Sequence, residues 1–182
     1  MSSIFTNLRR FLDDDDWRYR VVEDNAIIKF SVQGESADFE CFADVKEERN
    51  ICLLYIIAPN RVPQHRRLAA AEFLVRANYG LILGCFELDM EDGELRYRCG
   101  VDVEDSELSL AMAKNMIYTA IATMDRYYQG LMAVAYGDID PKVAIAKSEK
   151  QDRNRSESSV PDDIKAQLEN LLEASPDDLT EE

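Results

Sequence analysis

The sequence lacks the residues and spacings on which most catalytic and metal sites depend. It contains one histidine, His65, and four cysteines that show no CxxC or other metal-ligand spacing. Glycine-rich phosphate loops, G-x-S-x-G elbows and H-E-x-x-H zinc motifs are also missing. We therefore expect no enzymatic activity, no cofactor and no metal. Thiols without ligand spacing are typical of a reducing compartment, and we expect a cytoplasmic protein.

Positive charge is scarce as well. Lys and Arg number 21 against 36 Asp and Glu, which gives a net charge of −15 and disfavours nucleic acid or an anionic membrane as a partner. No apolar run approaches the roughly 18 residues of a membrane span. The N-terminus has no basic start followed by an apolar run, so it does not read as a signal peptide.

The composition divides the chain near residue 147. Residues 1–147 predict one domain with a core, whereas residues 148–182 predict an acidic, largely disordered tail. Within the tail, residues 161–174 predict a short amphipathic helix that is too short to be stable alone. We expect this helix to dock on the body or on a partner through its apolar residues, which are Ile164, Leu168, Leu171 and Leu172.

Three predicted strands follow a predicted helix at Ser3–Leu12. Ala26–Val32 and Phe39–Val45 alternate apolar and polar residues, as half-buried strands do. Ile51–Ala58 is apolar at nearly every position. A strand of this kind predicts a place in the middle of a sheet with cover on both faces. The second cover would be a partner chain or the long C-terminal helix.

A nearly all-apolar helix is predicted from Pro63 to Gly80, followed by a hairpin closed by Asp92 and Gly93. A helix this apolar is expected to be pressed onto the sheet. If the turn consists of two residues, the residue numbers of each cross-strand pair add up to 185. The predicted pairs are then Met90 with Leu95, Leu88 with Tyr97, Phe86 with Cys99, Asp89 with Arg96, and Glu87 with Arg98.

A long helix is predicted to begin at Asp105 or Ser106. Its apolar seam from Ala113 to Val134 predicts packing against the sheet, with a homodimer contact as the alternative. A short further helix is predicted from Asp140 to about Lys147. The predicted order is α-βββ-α-ββ-α, which indicates an α+β fold with a twisted antiparallel sheet of about five strands and packed helices.

The best candidate binding site is a basic cluster at the start of the second predicted helix, formed by Arg61, His65, Arg66 and Arg67. Cations at a helix N-terminus oppose the helix dipole, and an anionic partner would remove that conflict. An acidic peptide or a phosphate would suit the site. The alternative is that the arginines are solvated and pair with nearby acids such as Glu47 and Glu48.

Residues in the second helix and the hairpin resemble the YbjN-type domain family, described as bacterial sensory transduction regulators. The residues that carry the resemblance are Ala71, Phe73, Leu74, Asn78, Leu83, Gly84, Phe86, Asp92, Gly93 and Tyr97. The resemblance spans roughly Ser3–Lys147 and implies a fold like that of class I type III secretion chaperones, which are often dimeric.

The resemblance also implies a function. It indicates a non-enzymatic regulatory or adaptor protein, chaperone-like, that binds protein partners in bacterial signalling or stress regulation, with a homodimer as a candidate assembly. The alternative is a small-molecule-sensing domain with a pocket between helix and sheet.

Overall fold

Six strands and four α-helices form the part of the chain that the computed structural model describes, residues 3–22, 26–104 and 106–159. The helices are α1 (Ile4–Asp14), α2 (Arg67–Gly80), α3 (Leu110–Tyr136) and α4 (Pro141–Ser159). The strands are β1 (Tyr19–Val22), β2 (Ile27–Gln33), β3 (Asp38–Lys46), β4 (Ile51–Ile57), β5 (Cys85–Leu88) and β6 (Leu95–Asp102). They form one antiparallel sheet in the order β1-β2-β3-β4-β6-β5, which confirms the α+β class.

The sheet has one strand more than the sequence predicted. β1 is a four-residue strand at the sheet edge, and it pairs only with Ile27–Phe30 of β2. A strand of this length shows little alternation, and an exposed arginine interrupts its apolar residues. The pattern was therefore too short to be seen in the sequence.

β4 lies in the middle of the sheet, between β3 and β6, as predicted. Its even-numbered residues, Cys52, Leu54 and Ile56, are fully buried in the core that α1, α2 and α3 form with the sheet. Its odd-numbered residues are only half-buried. In the described part of the chain the helices cover one face, so the predicted second cover of β4 is not seen there. We call the other face the open face.

The hairpin keeps the predicted faces but not the predicted register. The residue numbers of each observed cross-strand pair add up to 183, with Phe86 opposite Tyr97 and Leu88 opposite Leu95. The loop is longer than two residues, because Asp89 and Glu94 still share a backbone hydrogen bond of 2.8 Å and Gly93 takes a φ of +81°. A shift of two residues leaves the side chains of both strands on their predicted faces, since side chains alternate with a period of two. Met90, which was predicted to lie opposite Leu95 on the apolar face, lies in the loop instead and is 47% exposed.

The predicted ion pairs of the hairpin change with the register. Glu87 lies opposite Arg96 and accepts hydrogen bonds from Arg96 Nε at 2.7 Å and, diagonally, from Arg98 Nε at 2.6 Å. The predicted pair of Asp89 with Arg96 is replaced by this arrangement. Partial burial acts to raise the pKa of the Glu87 carboxyl, but the bonds from Arg98 and Arg96 outweigh it, and the pKa is lowered.

Two helix ends differ from the prediction. α3 begins at Leu110 rather than near Asp105, because Ser109 is the N-cap and its Oγ accepts the Met112 N–H at 3.1 Å. α4 continues to Ser159, past the predicted end at Lys147 and through most of the predicted linker. The predicted tail helix with Ile164, Leu168, Leu171 and Leu172 lies outside the described residues. All contacts discussed below lie within residues 3–148.

Candidate functional site

The predicted basic cluster lies around the start of α2, where its arginines contact other parts of the same domain. Arg61 forms ion pairs with the Asp92 carboxylate and, at 3.4 Å, with Glu94. The pKa of Asp92 is lowered, first by the Glu94 backbone N–H and then by Arg61. Arg61 therefore contacts the turn between β5 and β6.

The neighbouring arginines also connect elements. Arg67 donates hydrogen bonds to the carbonyl oxygens of Met90 at 3.0 Å and Glu91 at 2.9 Å. Arg66 donates to the Val134 carbonyl at 2.9 Å and pairs with the Asp138 carboxylate beyond the end of α3. These bonds join the start of α2 to the hairpin turn and to α3.

The partners differ from the acids that the sequence suggested. Glu47 accepts hydrogen bonds from the backbone N–H groups of Ile4 and Phe5, at 3.3 and 2.9 Å, and so caps α1. His65 is exposed at the start of α2. A partner-binding role for Arg61, His65, Arg66 and Arg67 stays a prediction, and it requires that a partner compete with these internal bonds.

The cysteines offer poor nucleophiles. Burial raises the pKa of Cys41 and of Cys52 to about 12, and it also raises the pKa of Cys99. All four thiols are free, and Cys85 is the one that is not buried. Among the described residues, no group of three or more His, Cys, Asp or Glu side chains could hold a metal ion. None of the described helices has the length and apolarity needed to cross a membrane.

The outer side of α2 carries an apolar surface that the sequence did not predict. Its large side chains are mostly exposed: Leu68 by 80%, Val75 by 69%, Tyr79 by 96% and Ile82, just past the helix end, by 97%. We call these four residues the α2 stripe. Only Ala70, Phe73, Leu74 and Ala77 of this helix are buried.

The stripe follows from the composition of the helix. A helix that packs on one side needs apolar residues on one face, but α2 is apolar on nearly every face. The sequence predicted a helix pressed onto the sheet, and the sheet and α3 do cover one side of α2, which leaves its other apolar residues exposed. A surplus of apolar residues over what one packing face needs was the signal available in the sequence.

A second surface lies on the open face near β1. There, Arg18, Arg20 and Lys29 surround a shallow hollow of about 490 Å³ whose floor includes Phe42. Glu40 is the acidic residue in its lining. We call this the β1–β3 hollow. The sequence analysis missed it because its residues come from three strands, one of which was not predicted.

Comparison with known proteins identifies the family. Residues 5–132 match the model of the YbjN family, described as "Putative bacterial sensory transduction regulator". The chain belongs to the YbjN family. The match runs from α1 into α3, so it includes the α2 stripe and the β1–β3 hollow, whereas α4 lies beyond it.

Solved structures of low sequence identity are similar to the chain. The crystal structure of YbjN from E. coli, a "putative transcription regulator", matches with a TM-score of 0.52 and 15% identity, over 68% of this chain and 89% of that chain. The HopA1-SchA chaperone-effector complex matches with a TM-score of 0.44 and 18% identity, over 68% of this chain and 91% of that chain. The fold assignment rests on the family model and on the YbjN structure. No curated protein matches the chain.

Proposed function

We propose that this YbjN-family chain is a non-enzymatic regulatory adaptor that binds proteins in bacterial signalling or stress regulation. The α2 stripe is the observation that carries the protein-contact part of this proposal. The description of the family as a sensory transduction regulator supports the regulatory part. A cytoplasmic location belongs to the same proposal, and four free cysteines suit a reducing compartment.

The stripe has the properties of a protein contact. Single exposed apolar residues are ordinary on protein surfaces, but contiguous patches of large ones mark interaction sites. Tyrosine is enriched in such contacts, and Tyr79 exposes nearly its whole side chain. Burying each of Leu68, Val75 and Ile82 would contribute about 1.5–3 kcal/mol.

The partner that we propose for the stripe is a second copy of this chain. Leu68, Glu72, Val75 and Tyr79 are spaced alternately four and three residues apart, which is the spacing of a helix–helix seam. In an antiparallel pair with Val75 at the twofold axis, Leu68 faces the C-terminal end of α2 in the second copy, which Ile82 follows. Glu72 and Arg76, which pair within one chain at 2.7 Å, can then also exchange partners across the axis.

Local charge permits this association. From residue 67 to residue 83 the charged residues are Arg67, Glu72 and Arg76, whereas the whole chain has a net charge of −15. Most of the surface would repel a second copy, because like charges oppose close approach. The α2 stripe does not add to that repulsion.

Molar mass in solution tests the association. Val75→Glu places a charge in the stripe, and Val143→Glu is the matched control, because Val143 is 61% exposed on α4. Light scattering after gel filtration should give two chains for the wild type and the control, and one chain for Val75→Glu. A wild type that stays a single chain at every concentration contradicts the self-association.

The adaptor role needs its own measurement. We expect tagged wild type and Val143→Glu, expressed in the native bacterium, to co-purify the same protein, quantified against the tag alone. Enrichment of no protein over the tag would contradict the adaptor proposal even if the chain dimerises.

The small-molecule-sensing alternative requires space between helix and sheet. Aromatic side chains occupy that region: Phe86 packs edge-on against Tyr97 and Tyr127, with ring centroids 5.0 and 5.6 Å apart, and Phe73 packs on Tyr127 at 6.3 Å. This packing favours the protein-binding proposal over the sensing one.

A further inference from the structure

We propose that the open face of the sheet binds an amphipathic helix of a partner protein, which lies along β4 and has one acidic and one basic flank. The inference rests on the proposed function in one respect, namely that the partner is a protein. It names a different surface from the α2 stripe, so the two can fail separately.

The first observation is a row of apolar residues along the open face of β4. The odd-numbered residues of this strand point to that face and are only half-buried: they are Ile51, Leu53, Tyr55 and Ile57. Phe42 of β3 lies opposite Tyr55 and is half-buried as well. Among the described residues, no helix packs over this row, because the core that α1, α2 and α3 form lies on the other face.

Charged side chains border the row at its C-terminal end. The strand register places Ile57 between Glu40 of β3 and Arg96 of β6. An acidic residue therefore stands on one side of the row and a basic residue on the other. We call the row, together with the residues opposite it on β3 and β6, the β4 trough.

The charges are reversed at the other end of the trough. There the register places Ile51 between Lys46 of β3 and Asp102 of β6. Lys46 also pairs with Asp44 at 3.0 Å, whereas Asp102 is exposed. The basic residue now lies on the β3 side and the acidic residue on the β6 side, so the trough has opposite charges at diagonally related corners.

A helix suits the face of a sheet better than an extended segment does. The backbone groups of β4 are used in the ladders to β3 and β6, so a segment on the face must satisfy its own backbone hydrogen bonds. An α-helix does so within one segment, and helices cover the other face of this sheet. The row from Ile51 to Ile57 is about 20 Å long at about 3.3 Å per residue. A helix of about 13 residues has that length.

The charges at the Ile57 end define the flanks of this helix. Arg96 and Arg98 donate to a single carboxylate, that of Glu87, at 2.7 and 2.6 Å, which leaves an excess of positive charge on the β6 side. Arg96 also stacks 4.9 Å from the centre of the Tyr55 ring, which holds it beside the row. On the β3 side, Glu40 is exposed and forms no ion pair with any described residue.

A helix with charges in one half complements the trough in both directions. At the Ile57 end, its acidic flank lies over Arg96 and its basic flank over Glu40. Turned end for end, the same helix places its acidic flank over Lys46 and its basic flank over Asp102. Exchanging the two flanks brings like charges together in either direction. The trough therefore selects the order of the flanks, because complementary charges give specificity.

Fluorescence anisotropy on the full chain tests the proposal with two fluorescein-labelled helical peptides of the same composition. Each has a leucine stripe, glutamates on one flank and as many lysines on the other in one half, and glutamines in the other half. The two peptides differ only in which flank is acidic. Because neither has a net charge, general attraction to the acidic chain contributes nothing to the difference.

The peptide whose glutamates lie over Arg96 and Arg98 should bind at least about tenfold more tightly than the peptide with exchanged flanks. Equal affinities would overturn the proposal. Binding of neither peptide to the full chain would also overturn it, whether the face stays bare or residues 160–182 already cover it.

A charge reversal locates the bound helix. Glu40→Lys should weaken binding of the preferred peptide by at least about fivefold, because its lysines then face a like charge. The matched control is Glu48→Lys, which makes the same change in net charge at an exposed position in the turn after β3 and should leave the affinity unchanged. Equal loss in the two variants would overturn the site.

A charge in the apolar row separates the trough from the α2 stripe. Ile57→Glu should abolish binding of the preferred peptide, whereas Val75→Glu should leave it unchanged. The opposite result would place the peptide on the stripe and overturn the trough. Because Ile57→Glu could disturb folding, Glu40→Lys at its exposed position remains the second test.

Light scattering distinguishes a second copy as the occupant. Ile57→Glu should keep the molar mass of the wild type. A lower mass for Ile57→Glu would show that a second copy occupies the trough, which would overturn the proposal. A wild type that stays a single chain and still binds the preferred peptide would contradict the self-association through the α2 stripe but support the trough.

Discussion

Replacing Asn78 with alanine should lower the free energy of unfolding by about 2 kcal/mol. The Asn78 side chain bonds both the N–H and the C=O of Phe86, at 2.8 and 3.1 Å, in a partly buried position. Each such hydrogen bond contributes about 1 ± 0.5 kcal/mol net, and an unpaired group in partial burial costs more. Alanine recovers up to about 0.7 kcal/mol through its higher helix propensity.

Urea unfolding followed by circular dichroism measures the loss, as a lower midpoint at an unchanged slope. The matched control is Asn115→Ala, because Asn115 is exposed on α3. That variant should keep the wild-type stability or gain a few tenths of a kcal/mol. The difference between the two variants isolates the bonds to β5 from helix propensity.

Asn78→Asp adds a pH-dependent test of the same two hydrogen bonds. The aspartate can still accept the Phe86 N–H, but its second oxygen faces the Phe86 carbonyl. It should therefore destabilise the protein more at neutral pH, where the carboxyl is ionised, than in mild acid, where it can donate a hydrogen bond. If Asn78→Ala and Asn115→Ala unfold at the same urea concentration, the side chain does not support the β5 edge and our reasoning is refuted.

Three further predictions concern a backbone position, an ion pair and the thiols. Gly84 has a φ of +69°, and a Cβ added there would lie 2.5 Å from a tyrosine hydroxyl, so Gly84→Ala should lower the melting temperature. The control is Gly80→Ala, which should not lower it, because the space around Gly80 is open. Glu87→Gln should be less stable than wild type near neutral pH. This difference in the free energy of unfolding should disappear as the pH falls through the lowered pKa of the Glu87 carboxyl, because the ion pairs stabilise the protein only while the carboxylate is ionised. A difference that does not change with pH would contradict this. In a native thiol titration Cys85 should react first, with the buried Cys41 reacting only after unfolding.

The sequence predicted those elements whose pattern is set by burial on one side. β2 and β3 were placed to within a residue or two because their alternation is continuous. β4 was placed in the centre because it is apolar at nearly every position, and its neighbours β3 and β6 confirm that placement. The faces of the hairpin were also correct, because a shift of two residues does not change which side chains point inward.

The errors arise where a choice depends on distant parts of the chain. The hairpin register depends on a loop in which Gly93 packs against Val62, a contact that no local pattern contains. The start of α3 depends on which of several polar residues caps the helix, and Ser109 does so. The exposure of the α2 stripe depends on how much of α2 the sheet can cover. The candidate surfaces were missed for the same reason, since they are made of residues that only the fold brings together.

The Asn78 bonds have a consequence for how far this sheet can grow. Edge-to-edge association of sheets into fibres requires two free edge strands on every subunit, one on each side of its sheet. In this chain Asn78 already occupies the middle of the β5 edge through Phe86. Another sheet that approached this edge would find the N–H and C=O of Phe86 already bonded. Edge-to-edge growth therefore stops at β5, and the sheet can keep that edge without leading to fibres.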